Sequence, residues 1–202
     1  NPNPSIKTYK ERIKYELNCN NNFFNNLNSE NSAYWAGFIL ADGNVNRYCL
    51  RIELAKRDIS HLEKFKKVIN SGHVISESKK LTNGKEYEFC TLAISRKKIC
   101  DDLTNHGIGK DKSEICYLPI DINPNYMHHF IRGLFDGDGS FYLNPKNGCY
   151  IESAHFKICS PVILILYQIQ NILMKECSVN RTKIDNYSEN CCSLVYNGND
   201  EV

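Results

Sequence analysis

Residues 35–43 read WAGFILADG, and residues 131–139 read IRGLFDGDG. The two nonapeptides align residue for residue at an offset of 96, and each ends in Asp-Gly. A segment that occurs twice in one chain predicts two structural repeats related by a pseudo-twofold axis. Because both segments are apolar, have helical spacing and end in a carboxylate, we expect Asp42 and Asp138 to face each other near that axis.

Both nonapeptides carry small residues along one helical stripe. Gly37 and Ala41 are four residues apart in the first segment, and Gly133 and Gly137 are four apart in the second. Small residues at this spacing let two helix backbones approach closely, for steric reasons alone. The pattern therefore predicts that the two helices pack against each other and bring their ends side by side.

Flanking residues mark the ends of both helices. Ser29 is the predicted N-cap of the first helix, and Asn123 followed by Pro124 begins the second. Gly43 and Gly139 follow the two aspartates, an arrangement typical of a left-handed glycine cap. These signals bracket the nonapeptides and support their assignment as helices.

The carboxylates at the helix ends require a compensating cation, because a negative charge is unfavourable near a helix C-terminus. Mg²⁺ prefers carboxylate and carbonyl oxygens, and paired metal ions suit in-line hydrolysis of a phosphodiester bond. The sequence therefore predicts divalent metal ions, two or three of them, between the motif aspartates. Their expected ligands are the side chains of Asp42 and Asp138 and the main-chain carbonyls of Ala41 and Gly137.

Asp136 differs from the two motif aspartates, because Leu40 occupies its place in the first repeat. Symmetric chemistry does not need this carboxylate, and we interpret it as peripheral. The run from Asp136 onward is not a calcium-binding loop of the EF-hand type either. Such a loop requires Gly at its sixth position and Glu at its twelfth, where this chain has Phe141 and Asn147.

The rest of the chain extends the repeat. Each half is predicted to contain a helix, two strands, a second helix and two more strands, which gives an α+β fold of two αββαββ(α) repeats. The later elements are expected at 48–55, 59–69, 87–94 and 96–103 in the first half and at 141–143, 150–159, 161–177, 183–185 and 192–196 in the second. We divide the chain into an N-terminal segment (1–28), a first repeat (29–107), a linker (108–122) and a second repeat (123–202) without a closing helix.

Composition is typical of a globular intracellular protein. The 202 residues are 42% apolar, and the net charge of +2 indicates a nucleic-acid partner only if the 25 Lys and Arg residues are locally segregated. The ten cysteines contain no C-x-x-C pair. We therefore expect free thiols in a reducing compartment, in preference to disulfides or metal ligands. The sequence predicts no signal peptide and no membrane-spanning run.

The doubled motif resembles that of the LAGLIDADG homing endonucleases, in the monomeric form that has two repeats in one chain. The resemblance covers about residues 14–202 and implies that two saddle-shaped antiparallel sheets cross the DNA major groove on either side of a central helix pair. It implies that Asp42 and Asp138 bind the metal ions for cleavage of both strands of a long, non-palindromic target, which leaves short 3′ overhangs. It also implies a monomer that acts as a pseudo-dimer, and a role in intron or intein mobility.

The resemblance further implies basic residues beside the scissile phosphates. Lys56 and Lys157 align at an offset of 101 and are the expected catalytic supports in the two halves. Lys56 has the same strand parity as Leu50 and Ile52, so it reaches a phosphate only if the strand twists or bulges at its end.

DNA contacts are expected from the strand faces turned away from the helices, because a β-ribbon fits the major groove and reads base edges there. The candidates are polar residues on these strands and a basic group after the fourth strand. They are Arg47, Arg51, Glu53, Thr91, Arg96, Lys97, Tyr142, Asn144, Lys146 and Glu152.

Other functions make use of the same features. An RNA maturase that assists intron splicing, or a DNA-binding regulator, has this fold without nuclease activity, but the retention of both motif aspartates favours the enzyme. An aspartic protease also pairs two aspartates about a twofold axis, yet its Asp-Thr-Gly or Asp-Ser-Gly motif lies in strands and does not follow a helix. The chain contains no intein splicing domain, which favours a free-standing or intron-encoded enzyme.

Overall fold

The computed structural model describes residues 18–82, 84–109, 116–145, 152–188 and 191–198. Within these ranges the chain forms five α-helices and two four-stranded antiparallel sheets. The helices are α1 (Glu30–Asp42), α2 (Ile59–Val68), α3 (Lys97–Asn105), α4 (Met127–Asp138) and α5 (Ile163–Cys177). The strands are β1 (Gly43–Val45), β2 (Leu50–Ala55), β3 (Ile75–Thr82), β4 (Lys85–Ile94), β5 (Gly139–Pro145), β6 (Glu152–Ser160), β7 (Ile184–Ser188) and β8 (Cys191–Asn197).

The two sheets have the same topology. Their strand orders are β1-β2-β4-β3 and β5-β6-β8-β7, with every neighbouring pair antiparallel. Each half therefore contains a helix, two strands, a helix and two strands in chain order. The predicted α+β fold with two repeats is confirmed.

Helices α1 and α4 pack against each other at the centre of the molecule. A Cβ atom built on Gly37 would overlap the carbonyl oxygen of Phe130, and one built on Gly133 would overlap the carbonyl oxygen of Tyr34. The two contacts are equivalent, because both residues of one contact lie 96 positions from their counterparts in the other. The predicted close approach along the small-residue stripes is confirmed, and it has pseudo-twofold symmetry.

The expected left-handed caps at Gly43 and Gly139 are wrong. Both residues have extended backbone, with φ of −80° and −91°, and each begins a strand directly after its helix. Glycine is needed here for space, because a Cβ atom at either position would overlap the residue four positions earlier, Ile39 or Phe135. The chain therefore passes from helix to strand without an intervening loop, which keeps each motif aspartate at the junction of a helix and a sheet.

The N-termini of the paired helices have the predicted caps. The Ser29 hydroxyl accepts a hydrogen bond from the Ser32 amide, and the Ser32 hydroxyl accepts one from the Ser29 amide, which forms a capping box. The Asn123 side chain accepts a hydrogen bond from the Asn125 amide at the start of a 3₁₀ turn. Helix α4 continues from that turn.

The first half has a closed core. Trp35 of α1 packs on Phe65 of α2, with ring centroids 4.6 Å apart, and Phe24 from the preceding segment lies against the same ring. Helix α3 contacts β1 and buries Ile99 and Leu103 completely. This helix therefore covers the edge of the first sheet.

The second half is more open in the corresponding region. Val45 in β1 is 4% exposed, whereas its repeat equivalent in β5, Phe141, is 56% exposed. In the described part of the second half no helix corresponds to α3. A cavity of about 290 Å³ lies at Phe141, and a larger one of about 1160 Å³ lies elsewhere in this half; Phe135 and Phe156 line both. The two repeats thus share a topology but differ in how their cores are covered.

The cysteines are free thiols wherever the structure describes them, as expected. Cys100 is buried on α3, and burial raises the pKa of its thiol to about 11. Such a thiol stays protonated near neutral pH and packs as a small apolar group. Among the described helices, none is both long and apolar enough to cross a membrane.

Candidate metal centre and nucleic-acid interface

The two motif aspartates end the paired helices. Asp42 is the last residue of α1 and Asp138 the last of α4, and both are exposed. A Cβ atom on Gly137 would lie 3.3 Å from Oδ2 of Asp42 and would overlap the Cβ atom of Ala41. The Asp42 carboxylate thus lies against the residue that precedes Asp138. The helix packing brings the two acidic helix ends together.

This arrangement offers oxygen atoms of the kind that a hard divalent cation prefers. No group of three or more His, Cys, Asp or Glu side chains is arranged to hold a metal ion in the part of the chain that the structure describes. In enzymes that act on phosphates, Mg²⁺ commonly binds through one or two carboxylates and completes its coordination with water and phosphate oxygens. Asp42 and Asp138 fit that pattern, and the predicted carbonyl ligands Ala41 and Gly137 directly precede them.

The surroundings of the two helix ends differ. On one side a cavity of about 220 Å³ is lined by Leu40, Asp138 and Cys159 among others. Burial raises the pKa of the Cys159 thiol, while Lys157 lowers it and Asp138 raises it. The Lys157 ammonium and the Asp138 carboxylate therefore both lie within electrostatic range of one thiol, beside the second helix end.

On the other side of the helix pair lies Asp136 of α4, which is at the position equivalent to Leu40 of α1. Its Oδ2 accepts a 2.7 Å hydrogen bond from the Tyr34 hydroxyl, and Nε2 of His61 lies 3.2 Å from the same hydroxyl. The Arg132 guanidinium lies 4.9 Å from the centre of the Tyr34 ring. Burial and the hydrogen bond to Asp136 raise the pKa of Tyr34 above its ordinary value. Asp136, interpreted from the sequence as peripheral, thus joins α4 to α1.

The predicted correspondence between Lys56 and Lys157 is wrong. Lys157 pairs in register with Ser140, the residue after the Asp-Gly pair, and Arg51 pairs with Asn44 at the equivalent place in the first half. The offset between equivalent residues of β2 and β6 is therefore 157 − 51 = 106, ten more than the offset of 96 between the helices. The β5–β6 hairpin is longer than the β1–β2 hairpin, chiefly because its strands extend further, and the strand equivalences shift with it.

Lys56 lies beyond the end of β2, at the start of a short 3₁₀ turn. Its Nζ is 2.9 Å from Oε2 of Glu77 and 3.6 Å from Oε2 of Glu88, and these carboxylates raise the pKa of Lys56. Glu77 pairs in register with the buried Cys90, so this ion-pair cluster is on the helix side of the sheet. Arg51 lies on the opposite face.

The candidate DNA-contacting residues of the first half include three on the outer face of its sheet. Arg51 and Glu53 are exposed and alternate with the buried Leu50 and Ile52. Thr91 pairs with Glu53 in register and donates a 3.4 Å hydrogen bond to its carboxylate, although Thr91 itself is only 7% exposed. Glu53 and Arg51 therefore present the accessible polar groups of this set.

Three further predicted cations lie outside the strands. Arg47 is in the turn between β1 and β2, and its guanidinium is 5.1 Å from the centre of the Tyr48 ring. Arg96 precedes α3 and donates a hydrogen bond to the carbonyl of the preceding residue. Lys97 forms an ion pair with the residue four positions later in α3. The charge of Lys97 is therefore partly compensated within its own helix.

The second half presents Tyr142 on the outer face of its sheet, 41% exposed. Asn144 lies on β5 and Glu152 on β6, and only their backbone positions are described. Lys146 lies outside the described residues.

The sequence-based predictions did not include the outer face of β3, nor His155 and Asn197 of the second sheet. Ser76 pairs in register with Thr91, so β3 continues the outer face of the first sheet. His155 pairs with both Tyr142 and Asn197 in the second. Strand β3 reads ISESKKLT and has no apolar alternation that marks its outer face. In β6 the apolar Ala154, Phe156 and Ile158 alternate with His155 and Lys157, which is a sequence signal for the outward position of His155. The pairing of His155 with Asn197 has no such signal.

The fold of this chain is similar to that of several solved structures. No family model matches the sequence, and no curated protein matches it. The structure is similar to the LAGLIDADG homing endonuclease I-GzeII in complex with its DNA target (TM-score 0.53, 13% identity, 84% of this chain and 78% of that one). It is similar to the homing endonuclease I-WcaI bound to its DNA recognition sequence (TM-score 0.58, 12% identity, 84% and 76%). It is also similar to full-length DUF199/WhiA from Thermatoga maritima (TM-score 0.53, 18% identity), of which this chain spans about half (85% and 52%). The chain has the LAGLIDADG fold.

Proposed function

We propose that this chain, which has the fold of the LAGLIDADG homing endonucleases, is a metal-dependent endonuclease that cuts double-stranded DNA at a long, non-palindromic site. The observation that carries the proposal is the meeting of two acidic helix ends at the pseudo-twofold axis. The Asp42 carboxylate lies against Gly137, directly before Asp138, and both carboxylates are exposed. A pair of accessible carboxylates at a symmetry axis suits two phosphodiester bonds, one in each strand.

Recognition of DNA is assigned to the outer faces of the two sheets. A twisted antiparallel ribbon fits the major groove, where each base pair presents a distinct pattern of donors and acceptors. The two faces carry different residues at equivalent positions: Arg51 corresponds to Lys157, and Glu53 corresponds to Cys159. Unlike faces favour a target whose two half-sites differ in sequence.

The roles of the residues at the centre follow from their chemistry. Asp42 and Asp138 are the proposed metal ligands, with the main-chain carbonyls of Ala41 and Gly137 beside them. Bound Mg²⁺ supplies Lewis acidity and an activated water for hydrolysis of the phosphodiester bond. Arg51 and Lys157, one strand away from the helix ends, are the proposed contacts to the phosphates near the cleavage points.

The proposal is tested by cleavage of a randomised duplex library with Mg²⁺, in which the wild type is compared with Asp42→Asn and Asp138→Asn. Each substitution removes a charged ligand at nearly constant volume, and each is expected to abolish double-strand cleavage. Asp136→Asn is the matched control, because this residue belongs to the same motif but bonds to Tyr34. Removal of metal with EDTA is expected to stop cleavage and to leave DNA binding in place. Cleavage that persists in both Asp42→Asn and Asp138→Asn contradicts the proposed mechanism.

A second candidate is a protein of the same fold that binds nucleic acid without cutting it, as a DNA-binding regulator or an RNA maturase. The likeness to DUF199/WhiA, a second kind of protein that is similar in fold, supports this candidate. Sequence-specific binding by the wild type with no cleavage at any metal concentration supports this candidate over the nuclease.

A further inference from the structure

A polar cluster occupies the outer face of the second sheet, formed by Tyr142, His155 and Asn197. Tyr142 of β5 and Asn197 of β8 both pair with His155 of β6 in register. The neighbouring residues Phe156 and Tyr196 pack in the core, so the side chains of the cluster are directed away from the helices. Asn197 is exposed and Tyr142 is 41% exposed.

The three side chains hold one another in a fixed arrangement. The rings of Tyr142 and His155 are parallel within 2°, with centroids 4.6 Å apart. Nδ1 of His155 lies 2.5 Å from Oδ1 of Asn197. An amide oxygen accepts hydrogen bonds and never donates them, so Nδ1 carries the hydrogen. The stack on Tyr142 thus holds one face of the imidazole, and the hydrogen bond to Asn197 holds one edge.

This hydrogen bond also orients the Asn197 amide. Because Oδ1 is directed at the imidazole, the amide nitrogen with its two N–H donors is directed away from it. Purines present the N7 acceptor in the major groove, whereas cytosine presents only an amino donor there, and the O4 acceptor of thymine lies beside a methyl group. A fixed pair of donors on an exposed strand face is therefore complementary to a purine.

We propose that Asn197 reads a purine at one base pair of the target half-site bound by the second repeat, and that His155, held by its stack on Tyr142, is the positioning residue that sets the direction of the amide. The inference rests on the proposed DNA-binding function. It adds a specificity-determining residue, the base class that this residue prefers and the residue that orients it.

The test is selection by binding, without metal, from a randomised duplex library, followed by sequencing. The wild type is expected to prefer a purine at one position of one half-site. Asn197→Asp has almost the same shape and keeps the acceptor for His155, but it has no donor for N7. It is expected to lose the purine preference and to select cytosine over a purine at that position by about tenfold, because carboxylates accept a hydrogen bond from the cytosine amino group. The other positions are expected to stay unchanged.

Two more variants separate the roles. His155→Phe retains the stack on Tyr142 but removes the hydrogen bond to Asn197, and is expected to relax the preference at the same position only. Asn44→Asp makes the same chemical change on the outer face of the first sheet and is expected to leave the preferences of the second half-site intact. Thermal unfolding of each variant checks that the fold is retained, which the exposure of Asn197 favours.

The outcomes are distinguishable. A base profile for Asn197→Asp that equals the wild-type profile at every position overturns the inference. A profile for His155→Phe that equals the wild-type profile overturns the positioning role. If the wild type selects no sequence at all, the proposed DNA-binding function fails instead.

Discussion

The Tyr34 hydroxyl donates a hydrogen bond to Oδ2 of Asp136 over 2.7 Å, and this bond joins the two halves of the molecule across the central helix pair. It has no counterpart on the other side of the pseudo-twofold axis. Phe130 stands at the position equivalent to Tyr34 and has no hydroxyl, and Leu40 stands at the position equivalent to Asp136. The backbone contacts between the helices are symmetric, whereas the polar contacts between their side chains are not.

Tyr34→Phe removes this hydrogen bond while retaining the ring. We expect the free energy of unfolding to fall by about 1 kcal/mol, the usual net value of one hydrogen bond of this kind. Urea denaturation at neutral pH measures the change. Phe130→Tyr is the matched variant, because its hydroxyl would face Leu40 and find no equivalent acceptor. A gain in stability from Phe130→Tyr contradicts this asymmetry of the polar contacts.

The same tyrosine predicts a dependence of stability on alkaline pH. Its pKa in the folded protein is raised by burial and by the bond to Asp136, whereas in the unfolded chain it is near its ordinary value of about 10. Above that pH the unfolded state releases the proton and the folded state retains it, so the free energy of unfolding falls as pH rises. Between about pH 10 and pH 12 the wild type is expected to lose stability more steeply than Tyr34→Phe. Parallel slopes for the two proteins in urea titrations rule this coupling out.

The glycines at the helix crossing are predicted to be irreplaceable. A Cβ atom at Gly37 would overlap the Phe130 carbonyl and lie 3.0 Å from the Leu134 amide nitrogen, and both are backbone atoms that cannot move alone. Gly37→Ala is therefore expected to lower the free energy of unfolding by about 3 kcal/mol, near the upper end of overpacking effects. Gly109→Ala is the control, because its Cβ atom would be 3.6 Å from the nearest atom of Thr104. Equal melting temperatures for these two variants would falsify the tight crossing.

Strand register, and not sequence alignment, predicts which cations contact phosphate. Lys157→Met and Arg51→Met are each expected to weaken DNA binding. Each is also expected to reduce the slope of log affinity against log salt concentration by about one unit, which corresponds to the loss of one phosphate contact. Lys56→Met is expected to leave that slope unchanged, because Lys56 binds Glu77 and Glu88 on the other face of the sheet. Affinity titrations at several salt concentrations measure all three. A reduced slope in Lys56→Met, with unchanged slopes in the other two variants, contradicts this assignment and supports the alignment at an offset of 101.

The sequence was most informative where its two copies are collinear. The nonapeptides have no insertion relative to each other, so Gly37 and Gly133 predicted the helix crossing, and Asp42 and Asp138 predicted the position of the acidic centre. Beyond the helices the longer β5–β6 hairpin changes the offset, and sequence similarity cannot place the extra residues among short strands of period two. For that reason Lys56 was matched with Lys157, although Arg51 is the residue in the same register.

By itself, the sequence determined the doubled fold, the helix pair and the two carboxylates, because these follow from local spacing and from a repeat that lies within one segment. Only the tertiary structure decided the strand register and the reason for glycine at Gly43 and Gly139, which is lack of space beside the preceding helical turn. It also decided the pairings of Tyr34 with Asp136 and of His155 with Asn197. These contacts join residues 102 and 42 positions apart, and contacts at such separation depend on how whole elements pack.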